Sequence, residues 1–200
     1  MKIGILSGFG GWSESYRKAC EELKVAHVMI DIESSQWMEN IKAVDNEIDG
    51  YIASPPCLFQ EYKTIYDERL FFIDQFFKKP IYPNYKSCYI YESKRNMASF
   101  LDFYDLPHAK TRVFSKKNEA IEYLRQATYP IVVKSNIGAG GTAVYIVDSF
   151  GKAKRIANKI FGCHNGLICS GNKPTSNKYI IPIGLSGQSQ KHNMIVQEFH

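Results

Sequence analysis

Apolar residues recur along the first eighty positions in an alternation of short runs and helical stripes. Lys2–Ser7 is a compact apolar run with strand character, followed by the turn Gly8-Phe9-Gly10-Gly11. From about Ser13 to Lys24 the period becomes helical. Tyr16, Ala19, Cys20 and Leu23 share a face, Ser13 is placed to cap, and Glu14 suits the first turn. His27–Asp31 reads as a second strand, Ser35–Asn46 as a second helix, and Gly50–Ser54 as a third strand stopped by Pro55-Pro56. A long amphipathic helix follows over Gln60–Phe77, with Tyr62, Ile65, Tyr66, Arg69, Phe72, Ile73 and Phe76 along one side and Phe71, Phe72, Phe76 and Phe77 expected in the core. Lys79–Pro83 closes the set as an extended segment. Strands alternating with helices over short connections imply a parallel sheet covered by helices.

Beyond Pro83 the order changes. A helix over Glu92–Tyr104 ends before Leu106-Pro107, and a strand (Thr111–Phe114) and a helix (Asn118–Arg125) follow. Two strands, Ile131–Lys134 and Ala143–Val147, flank a second glycine turn. A basic helix over Phe150–Phe161 comes next. Residues 162–190 are polar and weakly periodic apart from Tyr179–Leu185, which reads as a mobile loop or an insertion, and Met194–Phe199 is a last strand. The chain therefore divides into an α/β domain over residues 1–84 and an α+β domain over 85–200.

Composition narrows the class. Aromatic residues make up 14% of the chain and are spread along it, which excludes a disordered segment. No apolar stretch approaches the ~20 residues of a membrane span, and the start is too short in its apolar core for a signal peptide. The five cysteines are odd in number and form no CxxC pair, so they read as reduced thiols in a cytoplasmic protein. Net charge is +5 overall, but residues 1–84 hold 9 basic and 13 acidic side chains and the remainder 16 and 7. The second part, at +9 against −4, would favour an anionic ligand. A solvated basic surface is the plain alternative.

Two glycine turns carry the candidate chemistry. The first, with Gly8-x-Gly10 between a strand and a helix and Asp31 ending the second strand, reproduces most of a dinucleotide fingerprint. Ser13 stands where the third glycine belongs. The second, PIVVKSNIGAGGTAV over Pro130–Val144, has Lys134 ending a strand, then glycines at 138, 140 and 141, then another strand. The lysine precedes the glycines and no helix follows, so this is no Walker loop. It is a hairpin whose tip can fold over a phosphate chain beside a fixed positive charge, or a flexible hairpin beside a surface lysine. Cys163, His164, Cys169 and His192 fit no common zinc spacing, Cys57 has no histidine near it in sequence, and the basic aromatic stretch around Lys94 gives little support to nucleic-acid binding.

The order of the second part carries the identification. YESKRNMASFLDFYDLPHAKT over Tyr91–Thr111, the lysine strand with its glycine hairpin, and MIVQEF over Met194–Phe199 together resemble the ATP-grasp superfamily, with the RimK-type ligases as the branch suggested. Residues 1–84 resemble the Rossmann-like domain that precedes the grasp. The resemblance implies that ATP lies between two small lobes, with Lys94 on phosphate and Lys134 on the phosphates and the adenine edge. It further implies that Gly138, Gly140 and Gly141 close over the phosphates, with Ser135 and Thr142 as extra donors. Gln197, Glu198 and Phe199 would form the hinge whose backbone meets the adenine. The implied chemistry is phosphorylation of a carboxylate by ATP, attack of an amine on the acylphosphate, and charge neutralisation by magnesium ions. Ser7–Trp12 and Ser54–Cys57 would shape an acceptor site.

One departure stands out. The acidic residues and asparagine that hold magnesium in the superfamily are expected beyond His200. The chain is therefore expected to be the ATP-binding portion of a longer ligase, inactive by itself, with an incomplete grasp domain, no catalytic residues assignable, and an unpaired last strand that would favour a homodimer. A non-catalytic nucleotide-binding domain is the alternative, and an NAD(P)-dependent oxidoreductase a third.

Overall fold

The computed structural model describes residues 1–138, 144–161 and 193–199. It divides into two compact units, Met1–Tyr91 and Glu92–His200. Among the described residues no helix is long and apolar enough to cross a membrane.

The first unit alternates as its hydrophobic pattern dictates: β1 (Lys2–Ser7), α1 (Ser13–Glu22), β2 (Ala26–Asp31), α2 (Trp37–Val44), β3 (Gly50–Ile52), α3 (Gln60–Phe72), β4 (Ile81–Tyr82) and α4 (Tyr85–Ile90). The four strands form one parallel sheet in the order β2-β1-β3-β4. Leu6, Ile30, Ile32, Ile41, Tyr51, Leu70 and Ile73 make its core. Each such fully buried aliphatic side chain contributes roughly 1.5–3 kcal/mol relative to exposure. The helix α4 has no apolar period long enough to announce it in the sequence. It is set by Asn84, whose side chain accepts the Ser87 N–H at 2.9 Å as an N-cap. By contrast, α1 starts without a side-chain cap, because Trp12 rather than Ser13 occupies the capping position.

The apolar stripe of α3 differs from the expected one. Lys63, Tyr66, Leu70 and Ile73 point inward at helical spacing. Phe71 and Phe72 are therefore 43% and 44% exposed and Phe76, in the π-helical turn Ile73–Phe77, is 65% exposed; only Phe77 of the expected four packs against the core. The error came from Lys63, a buried cation inside the stripe. Its ammonium meets both carboxylate oxygens of Asp67 and lies over the Tyr89 ring. Burial outweighs the pairing at both ends, lowering Lys63 and pushing Asp67 up to about 6.

The second unit contains α5 (Lys94–Phe103), β5 (Thr111–Phe114), α6 (Lys117–Gln126), β6 (Ile131–Lys134), β7 (Val144–Val147), α7 (Phe150–Ile160) and β8 (Met194–Glu198). The sheet order is β5-β8-β6-β7, antiparallel throughout. This corrects the expectation of an unpaired last strand: β8 is hydrogen-bonded on both sides, to β5 and to β6. Residues opposite one another across a ladder share a face, so the register sorts the sheet. Ile131, Val133, Val147, Met194 and Val196 lie on the face packed with Ala120, Leu124, Ala153, Ala157 and Ile160 of α6 and α7. The opposite face carries Val113, Ile195, Lys134 and Val144 in one row and Thr111, Gln197, Val132 and Ile146 in the next.

Candidate functional site

Consider first the glycine turn of the first unit. Gly8 has φ +107°, a conformation that L side chains rarely adopt, and a side chain there would come within 2.5 Å of Glu33 Cβ. Three backbone donors of the turn are already engaged. Phe9 N–H donates to Glu33 Oε2 at 2.6 Å, Gly11 N–H to the Gly8 carbonyl at 3.3 Å, and Trp12 N–H to the Ser54 hydroxyl. Asp31, the residue a dinucleotide would need for its ribose, accepts instead from Glu33 N–H at 2.9 Å and Ser34 N–H at 3.2 Å. Both elements of the fingerprint hold the loop together, and the geometry gives the dinucleotide reading no support.

Beyond the C-terminal ends of β1, β3 and β4, a cavity of about 210 Å³ is lined by Trp12, Tyr16, Ser54, Pro55, Pro83 and Cys88 among others. Open α/β sheets bind ligands at such crevices. The walls are aromatic, aliphatic or hydroxylic, with no cationic side chain among them. Burial pushes the Cys88 thiol up to about 11, so it faces this space as a neutral group.

The second glycine turn is built differently. Lys134 ends β6, and its ammonium is hydrogen-bonded to Gln197 Oε1 on neighbouring β8, while Gln197 Nε2 donates to the Ala109 carbonyl at 3.2 Å. Lys94 opens α5. Its ammonium meets the Glu92 carboxylate at 2.6 Å and also the carbonyl of Gly138 in the turn after β6. The two cations lie close enough to feel each other: burial first, and then the charge of Lys94, lower the Lys134 pKa from its ordinary value. Like charges held together at a half-buried turn are unfavourable in the free protein and favourable once an anion sits between them.

The remaining residues of the expected site fall as follows. Ser135 is buried and its hydroxyl donates to the Ile137 carbonyl at 2.8 Å, shaping the turn. Gly138 supplies the carbonyl that meets Lys94. Gly140, Gly141 and Thr142 lie outside the described residues, as do Cys163, His164, Cys169, His192 and the apolar run 179–185. Gln197 is on the lysine face. Glu198 pairs with Ile131 on the helix-packed face, its backbone N–H donates to the Lys110 carbonyl at 3.0 Å, and Phe199 follows it, 47% exposed.

Three features of this site went unread in the sequence. Val113 at one edge of the sheet and Val144 and Ile146 at the other are exposed apolar residues on the Lys134 face, while Val132 and Ile195 on the strands between them are buried. Their register against Lys134 would have been legible had the ladders been paired. Glu92 and Ala109 act as partners of the lysine and glutamine, and no pattern announces such roles. Ser93 and Asn136 join α5 to the turn, as described below.

Comparison with known proteins agrees with this geometry. Residues 92–172 match the family model of the phosphoribosylglycinamide synthetase ATP-grasp (A) domain. The phosphoribosylamine–glycine ligase of Caldanaerobacter subterraneus subsp. tengcongensis is 28% identical over 140 residues, 68% of this chain and 32% of that protein. Among solved structures, the whole chain superposes on 64% of a RimK domain ATP-grasp protein from Sphaerobacter thermophilus, with a TM-score of 0.57 and 12% identity. It also superposes on 47% of a carboxyaminoimidazole ribonucleotide synthase from Aspergillus clavatus solved with ATP, with a TM-score of 0.59 and 16% identity. Fold, lysine strand and sequence match agree in their likeness to the ATP-grasp superfamily, with the sequence match carried by residues 92–172. The RimK branch is represented among the structural likenesses, whereas the curated sequence match is to a phosphoribosylamine–glycine ligase. The chain spans about a third of the length of that relative.

Proposed function

We propose that this chain is the nucleotide-binding portion of an ATP-grasp ligase that joins a carboxylate to an amine through an acylphosphate. The observation that carries the reading is the convergence of Lys94 and Lys134 on one glycine turn, each ammonium held by a group that a phosphate oxygen can replace or join. The residues present fit ATP. Two cations suit a polyphosphate, and the exposed Val144 and Ile146 on the strand beside Lys134 suit the face of adenine. The backbone at Glu198 and Phe199, at the end of β8, would meet the adenine edge. ATP supplies the phosphoryl group when bound; the chain orients its phosphates and offsets their charge.

For the magnesium ions that the resemblance implies, no group of three or more His, Cys, Asp or Glu among the described residues is placed as a metal site.

Calorimetric titration with ATP tests the reading. Wild-type chain is expected to bind ATP, and Lys134→Ala to bind it about 10- to 100-fold more weakly, the range for losing a charged hydrogen bond. Equal affinity in the two, or NADH binding in place of ATP, contradicts it.

A further inference from the structure

Lys94 and Lys134 sit on different elements, so something must fix one against the other. Ser93 and Asn136, 43 residues apart in the chain, meet between α5 and the turn after β6. Both are polar and nearly inaccessible, at 4% and 3% exposure. The Ser93 hydroxyl donates to Asn136 Oδ1 at 3.2 Å and accepts the Asn96 N–H at 3.4 Å as the cap of α5. Asn136 Oδ1 also accepts the Arg95 N–H at 3.0 Å, and the Asn136 backbone carbonyl accepts the Lys94 N–H at 3.0 Å. A helix leaves its first N–H groups without intrahelical partners. Here three consecutive donors, at Lys94, Arg95 and Asn96, are taken by these two residues alone.

The consequence is geometric. Lys134 lies two residues before Asn136, and Lys94 follows Ser93 directly. Two buried polar side chains therefore join the turn that follows the lysine strand to the cap of the lysine helix. An apolar contact would leave the register between them loose, whereas hydrogen bonds with fixed directions set it. We propose that Asn136 and Ser93 are positioning residues of the nucleotide site, holding Lys94 and Lys134 at the separation that a polyphosphate bridges. Neither touches the ligand; both act through the lysines. The inference rests on the ATP reading above for its ligand but not for its geometry.

The test uses two readouts on the full chain: ATP affinity by calorimetry and the titration midpoint of the Lys134 side-chain amine by heteronuclear NMR. In Asn136→Ala and Ser93→Ala the helix start should drift from the turn. ATP affinity should fall about tenfold, as for one or two lost buried hydrogen bonds, and the Lys134 midpoint should rise as the neighbouring charge recedes. Ser93→Thr keeps the hydroxyl and should match wild type in both. Where Asn136→Ala does not fold, Ser93→Ala and Ser93→Thr carry the comparison. Unchanged affinity in the alanine variants, or Ser93→Thr as impaired as Ser93→Ala, overturns the proposal. Should wild type not bind ATP at all, the reading of the preceding subsection fails, and the Lys134 midpoint alone decides: a rise in the alanine variants upholds the positioning role and an unmoved midpoint overturns it.

Discussion

The chain contains two glycine turns that look alike in sequence and are opposites in structure. At Gly8–Trp12 the Phe9 and Trp12 N–H groups face inward, onto Glu33 and Ser54, and the carboxylate of Glu33 occupies the place an anion would take. At 135–138 the turn brings together two lysines with one carboxylate, that of Glu92, so positive charge is in excess there. Glycine reports that the backbone must pass close to something or adopt a positive φ. It does not report what that something is. The sign of the charge brought to the turn by other elements decides whether the loop cradles a ligand or closes on its own side chains.

The largest expected effect that separates the turns is that of Lys134→Ala, a loss of most ATP affinity with little change in the urea midpoint of the chain. Next comes Gly11→Ala. A Cβ there collides with the Ser54 carbonyl, a backbone atom that cannot move cheaply, so a loss of about 1–3 kcal/mol of stability is expected. Urea unfolding measures it, and ATP affinity should stay within twofold, about the scatter of a neutral change. Unaltered stability would show that the first turn is looser than described. Smaller is Glu33→Gln, which keeps an acceptor for Phe9 N–H but removes its charge, at a cost of up to about 1 kcal/mol. Tighter ATP binding in that variant would mean that the first turn takes phosphate after all, and the contrast would collapse.

The smallest effect is one of pH. Only protonated lysine attracts phosphate, and the folded Lys134 pKa is depressed by burial and by Lys94. ATP affinity should therefore begin to fall, as pH rises, below the ordinary lysine range. In Lys94→Met the onset should move to higher pH although the affinity itself is lower. An onset unaffected by Lys94→Met would show that the two ammonium groups are not neighbours.

Most of the architecture was legible because periodicity and burial coincide: the strands Lys2–Ser7, Thr111–Phe114 and Ile131–Lys134 fall where the apolar runs fall. Legibility stopped where a polar group is buried with a partner distant in sequence. Lys63 displaced the apparent face of α3 because its pairing with Asp67 is invisible to a hydrophobic pattern. The last strand looked unpaired because sheet order cannot be read from chain order; β8 inserts between β5 and β6. The order of motifs pointed to Lys94, Lys134 and Gln197 as candidates, whereas Asn136 and Ser93 were not singled out, since their hydrogen bonds span 43 residues.

Whether phosphate is received at the second glycine turn and not at the first is read out by backbone amide shifts of the ¹⁵N-labelled chain as ATP is added. The largest shifts are expected at Lys94, at residues 135–138 and at Gln197, with Gly8–Trp12 unmoved. Shifts concentrated at Gly8–Trp12, with the lysine turn silent, would contradict receipt at the second turn.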